Sequence, residues 1–139
     1  MSADDVLVPG WPPPKGYSNG RIGTGRALHI GGQIGWDTAG RFPERTGADA
    51  KFAAQFAQTL DNVIAVVKAA GGEVTDLAEM TVFVVDMSRY RDARKELATI
   101  WRERLGKHYP AMALVAVEEL LEPDAQVEIQ AVAYLGDLP

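Results

Sequence analysis

The sequence predicts an α+β fold in which two helices pack on one face of a mixed sheet. Three observations lead there. A long run with apolar residues at three- and four-residue spacing marks one helix, and a shorter run of the same kind marks a second. Five stretches read as strands around them, two of which are apolar on both faces. The resulting order is β-β-α-β-α-β-β, a pattern that places helices against one sheet face.

The elements follow in chain order. "WPPPKGYSNG" (11 to 20) is rich in Pro and Gly, which disfavour helix and strand interiors, so it reads as an extended lead-in with a turn. "RIGTGRALHIGGQIGW" holds two apolar runs split by "GTGR", which predicts a hairpin over roughly 19 to 34. The glycines of "GGQIGW" mark a bend or a close backbone approach. In "GADAKFAAQFAQTLDNVIAVVKAAGG", Phe52, Phe56, Leu60, Val63 and Val67 share one helical face, and Lys68 with Gly71 and Gly72 supplies the stop. "EMTVFVVDM" reads as a strand over 79–86 with both faces to be covered. A second helix over about 88–105 begins at Ser88 as N-cap and aligns Tyr90, Ala93, Leu97, Ile100 and Trp101. "AMALVAVEEL" is a further strand over 111–117, "LEPDA" a turn, and "QVEIQAVAYL" (126 to 135) the closing strand.

Length and composition narrow the function. The 139 residues suit a single domain over 1–139, with 47% hydrophobic and 24% charged residues. No apolar run approaches the roughly 20 residues that span a bilayer, and the N-terminus lacks the basic-then-apolar pattern of a secretory signal. A cytoplasmic location is expected. With no cysteine and only two isolated histidines, His29 and His108, neither a thiolate nucleophile nor a metal site is expected. Gly23 and Gly25 lack the third glycine and the following helix of a dinucleotide loop, so no cofactor is expected. A net charge of −5 argues against a nucleic-acid partner.

Glu128 is the residue that the pattern leaves open. Val127, Ile129, Ala131, Ala133 and Leu135 make one oily face, while Gln126, Glu128, Gln130, Val132 and Tyr134 make a mixed one. If the mixed face meets water, Glu128 is an ordinary solvated residue; if it meets another subunit, it is a carboxylate in a cleft. Two helices cover only one sheet face, yet the strands at 79–86 and 111–117 are apolar on both. Burial of the second face by other copies of the chain, in a closed oligomer, answers that arithmetic.

Three stretches together resemble the RidA/YjgF family of enamine/imine deaminases: "GYSNG", "GGQIGWDTAGRF" with the helix and strand after it, and "YPAMALVAVEELLEPDAQVEIQAVA". The resemblance runs from about residue 16 to 135. It implies a chorismate-mutase-like fold, a homotrimer with ligand clefts between subunits, and hydrolysis of small imines or enamines to a keto compound and ammonia. It also implies roles for particular residues. Glu128 matches the glutamate that helps place or activate the attacking water, which suits a reaction needing first a proton acceptor and then a donor. Tyr17 matches a tyrosine whose ring lines the cleft, against a plain packing role in the loop. Gly32 matches the glycine whose backbone bonds a ligand carboxylate, although Gly31 stands where most relatives carry serine. Gln33 and Trp36 continue that loop, and Trp36 either closes over a flat ligand or shields the core.

One position departs from the pattern. Deaminases of the family carry an arginine after "PA" that grips the substrate carboxylate with two hydrogen bonds, whereas this chain has Met112. Either the ligand is larger and more apolar, such as an aminomuconate-type or aromatic-derived compound, or the parent reaction is lost and the cleft only binds a metabolite. Arg94 or Arg21 is a candidate replacement cation, against the plainer role of a solvated surface charge. Ribonuclease activity, attached to some relatives, is disfavoured by the acidic balance and the lack of a histidine pair.

Overall fold

The structure is a computed structural model that describes residues 3–44 and 47–137; Met1 and Ser2, at the head of the stretch read as unlike a secretory signal, lie outside them. The order is β1 (Ala3–Val6), β2 (Gly20–Gly23), β3 (Ala27–Ile34), α1 (Ala48–Ala69), a single 3-10 turn, β4 (Leu77–Val84), α2 (Met87–Asp92), α3 (Arg94–Leu105), β5 (Ala111–Ala116) and β6 (Val127–Tyr134). The central sheet has the order β3-β6-β4-β5, antiparallel except for the β4–β5 pair, and β1 with β2 forms a separate ribbon. It is the expected α+β arrangement with a mixed sheet, with three helices where two were predicted. Among the described residues no helix is long and apolar enough to cross a membrane.

The core lies between α1, α3 and one face of the sheet. Phe52, Leu60, Val63 and Val67 of α1 meet Ile30, Met80, Val82, Val127, Ile129 and Ala133, all buried. Each such side chain contributes about 1.5–3 kcal/mol relative to exposure when fully covered. The end of α1 follows from Gly71 at φ 87: its N–H reaches the Lys68 carbonyl at 3.0 Å and that of Gly72 reaches Val67 at 2.9 Å. Only glycine adopts that backbone without strain, and the pair of bonds satisfies carbonyls the helix leaves open.

Two expectations need correction. Residues 19–34 form no hairpin, since β2 pairs with β1 while β3 pairs with β6. Burial explains the choice: next to β6, Ile30 sits opposite Ala131 and packs into the core, while Ile22 on the ribbon stays exposed. The second helix is split at Ala93 into α2 and α3, and its N-cap is Asp86, whose Oδ1 accepts the Ser88 N–H at 3.0 Å. Buried Ala93 departs from helical backbone (φ −91, ψ 4), which turns α3 onto the core so that Leu97, Trp101 and Leu105 are covered.

The outer sheet face is open in the single chain. Val85 and Val115 are 38% and 40% exposed, and Phe83 beside them is half-buried.

Candidate functional site

The expected site residues fall into two groups, on opposite faces of one sheet. Strand parity decides it. Met112 sits opposite Met80 and faces the helices, whereas Glu128 sits opposite Phe83 and faces outward. Met80 is buried and Phe83 lies three residues along the same strand, so the two side chains point to opposite sides.

The outward group centres on Glu128. The β3–β6 register shifts between Ile30 and Gln33, a bulge that brings the backbone of Gly32 onto the Glu128 side chain. A Cβ at Gly32 would lie 2.6 Å from Oε2 and 2.8 Å from Cδ of Glu128, so any side chain there would displace the carboxylate. At Gly31 a Cβ would meet nothing within 4 Å. Glu128 is half-buried, and its side chain neither accepts a hydrogen bond nor forms an ion pair among the described residues. Gln33 Nε2 donates to the Gly31 carbonyl at 3.2 Å. Trp36, just past the end of β3, is 38% exposed, with its ring 6.2 Å from that of Phe42.

The inward group lines a cavity of about 210 Å³. Met112 and Leu114 of β5 form one side, Tyr90, Arg94 and Trp101 the other, and Gly16 reaches it from the lead-in. The lead-in is held there because Ser18 bridges Ala111, its N–H reaching the Pro110 carbonyl at 3.0 Å and its hydroxyl donating to the Tyr109 carbonyl. Tyr17 and Arg21 line a neighbouring cavity of about 300 Å³ with Lys107 and His108, so Arg94 rather than Arg21 shares the Met112 cavity. His108 is a satisfied structural residue whose Nε2 lies 2.7 Å from the Leu77 carbonyl. Burial pushes its imidazole below its ordinary value, the Leu77 bond opposes that shift, and Arg21 adds to it. Among the described residues no cluster of three His, Cys, Asp or Glu side chains has the geometry to hold a metal ion.

Residues 11–135 match the family described as Endoribonuclease L-PSP, which spans the Gly32–Glu128 contact and the Met112 cavity together. The chain belongs to this family, the RidA/YjgF proteins. It is 37% identical over 99 residues to the 2-iminobutanoate/2-iminopropanoate deaminase of Escherichia coli K12, covering 69% of this chain and 76% of that protein. A RutC family protein from Sulfurisphaera tokodaii is 34% identical over 125 residues, 90% of this chain and 93% of that one. Among solved structures, the Rid family protein YyfB of Yersinia pestis, of unknown function, superposes with a TM-score of 0.83 at 27% identity over 97% of this chain and all of that one. The Escherichia coli YjgF protein superposes with a TM-score of 0.66 at 31% identity, covering 94% and 98% of the two chains.

Two residues that the sequence pattern did not flag hold the candidate site of this RidA/YjgF chain in place. Gln55, fully buried on α1, donates to the Asp124 carbonyl at 2.8 Å and accepts from the Gln126 N–H at 2.9 Å, anchoring the start of the strand that carries Glu128. Asn62 Nδ2 donates to the carbonyls of Ile34 and Trp36, each at 2.8 Å, tying down the loop that leaves β3. The signal was present as polar residues interrupting the apolar pattern of α1, since a buried amide is retained where it finds partners.

Proposed function

We propose that the protein is a hydrolytic deaminase of a small imine or enamine, working as a homotrimer with its clefts between subunits. One observation carries the reading: the carboxylate of Glu128 is unpaired among the described residues and lies against the bare backbone of Gly32. Half-buried and without a protein partner, that carboxylate is open to hold a water or a ligand group beside the Gly32 backbone. The named activity of the Escherichia coli relative supports the same chemistry.

In the proposed step, water adds its oxygen to the carbon of a C=N bond while Glu128 takes a proton from it. That first proton passes to nitrogen to give the carbinolamine; Glu128 then takes the carbinolamine's hydroxyl proton and delivers it to nitrogen as the C–N bond breaks, leaving C=O and ammonia, an enamine having first tautomerised to its imine. One carboxylate acts as acceptor and then donor, which is worth about 10²–10⁴-fold in rate.

The trimer is supported by the face on which Glu128 lies. Phe83, Val85 and Val115 present an apolar surface around it that a second copy would cover. A ligand touching both Glu128 and the Met112 cavity needs two copies, because one chain presents them on opposite faces. The substrate differs from the simplest 2-imino acids, since Met112 offers no charge to a carboxylate, and aminomuconate-type and aromatic-derived compounds are the candidates.

Ammonia release over a panel of freshly generated imino acids and aminomuconate-type enamines, with Glu128→Gln alongside, tests the reading. Release that the substitution lowers by at least about 100-fold is the expected result. No release above the spontaneous rate, with a small molecule retained by the folded protein in native mass spectrometry, would favour a non-catalytic metabolite-binding trimer, the reading that Met112 supports.

A further inference from the structure

The Met112 cavity has a chemical character of its own. Its lining is apolar and aromatic apart from Arg94, the one charged side chain, and the hydroxyl of Tyr90. Arg94 is an exposed side chain that forms no ion pair among the described residues; its Nε donates to the Arg91 carbonyl at 3.3 Å, and its two terminal nitrogens, open to water, can meet a ligand entering the cavity. The Tyr90 hydroxyl makes no hydrogen bond among the described residues, and burial pushes its phenol above the ordinary value, so it remains a donor near Arg94.

The aromatic walls are already set. Trp101 stacks on Tyr109 with ring centres 5.8 Å apart and planes 7° from parallel, and its Nε1 donates to the His108 carbonyl at 3.1 Å. Tyr90 is wedged edge-on against Phe52 and Phe56, at 6.4 and 6.2 Å. A ligand entering such a slot does not have to order it first, which favours a flat, rigid occupant. An apolar cavity of about 150 Å³ holds a benzene molecule. The roughly 210 Å³ here accommodates a ring with a short polar end.

Resting on the deaminase reading of the same site, we propose that this cavity selects a monocarboxylate imine or enamine with an aromatic or bulky apolar side chain. The carboxylate meets the Arg94 guanidinium and the Tyr90 hydroxyl, and the side chain lies against Met112, Trp101 and Tyr109. A two- to four-carbon imino acid would leave much of the slot empty and lose those contacts. Of the two candidate classes, an aminomuconate-type dicarboxylate would bring a second charge into a lining that holds one cation among the described residues, so the aromatic-derived class is the one selected.

The test is calorimetric binding of two stable keto acids, phenylpyruvate and 2-oxobutanoate, to the intact protein and to Arg94→Gln and Met112→Arg, each checked for fold by circular dichroism. Phenylpyruvate is expected to bind the unaltered protein at least tenfold more tightly than 2-oxobutanoate. Arg94→Gln is expected to weaken phenylpyruvate about two- to fivefold, the size of an ion pair at an exposed arginine. Met112→Arg, which inserts a charge into the apolar wall, is expected to reverse the preference. Equal or tighter binding of 2-oxobutanoate by the unaltered protein, or affinities indifferent to Arg94→Gln, would overturn the proposal. Ammonia release from small imino acids without a preference for phenylpyruvate overturns this selection alone. Preferential phenylpyruvate binding with no ammonia from any imine upholds the selection and overturns the deaminase reading.

Discussion

Gly32→Ala separates the position of the Glu128 carboxylate from the stability of the fold. The new methyl would stand 2.6 Å from Oε2, where ordinary contact begins at 3.4 Å, so the carboxylate has to withdraw by about 0.8 Å. It can do so, because the obstacle is the far end of a flexible side chain. Pushing that chain off its preferred rotamer costs about 0.5–1.5 kcal/mol. Gly32 does not have the positive φ that would strain alanine, and the stiffer unfolded chain returns about 0.4–1 kcal/mol. Net stability is therefore expected to change by less than about 1 kcal/mol. Activity is expected to fall about 100-fold, since a misplacement near 1 Å is worth that much when a proton acceptor must meet a water. The control is Gly31→Ala, whose Cβ meets nothing and whose effect on both quantities should be small. Ammonia release and urea unfolding on the two variants decide the matter. Full activity in Gly32→Ala, or equal damage from Gly31→Ala, would refute the assignment of that contact to the chemistry.

Three further outcomes are expected. Gln55→Ala strands the Asp124 carbonyl and the Gln126 N–H, each worth about 1–3 kcal/mol if buried and unmet, so the denaturant midpoint should drop with an unchanged slope; an unmoved midpoint would show that water replaces the amide. Phe83→Asp places a charge on the open sheet face, and sedimentation is expected to find a trimer for the unaltered protein and a monomer for the variant; a trimer in both would put the assembly on another surface. His108 has a folded pKa below its ordinary value of 6.5, chiefly through burial, so the unfolded chain binds the proton more readily. Its contribution to stability is complete above 6.5 and is lost as pH falls from there through the folded value. His108→Gln should flatten unfolding free energy against pH in that window, and an unchanged slope would assign the dependence to other groups.

The legibility of the sequence varied with the range of the interaction. The period-two face of β6 was readable, and Val127, Ile129, Ala131 and Ala133 are all buried. So was α1, whose apolar stripe lies in the core and whose glycines end it as expected. Pairing was not readable: "GTGR" looks like a local turn, but Leu28 and Ile30 find Ala133 and Ala131 about a hundred residues away. The break at Ala93 was equally hidden, because α2 and α3 each keep helical periodicity and only their packing on α1 calls for the bend. Gln55 and Asn62 were visible as polar interruptions, but the carbonyls they serve belong to distant segments.

The sequence by itself determined the α+β class, the parity of β4 and β6, the C-terminal stop of α1, and the kinship that runs through Glu128 and departs at Met112, while the strand Ala3–Val6 went unread. These rest on periodicity and residue chemistry, which act within a few positions of the chain. Only the tertiary structure decided that Gly32 rests on Glu128, that Arg94 and not Arg21 shares the Met112 cavity, and that Met112 and Glu128 face opposite sides of one sheet. Each of these depends on register between strands far apart in the chain, where a shift of one residue turns every side chain to the other face.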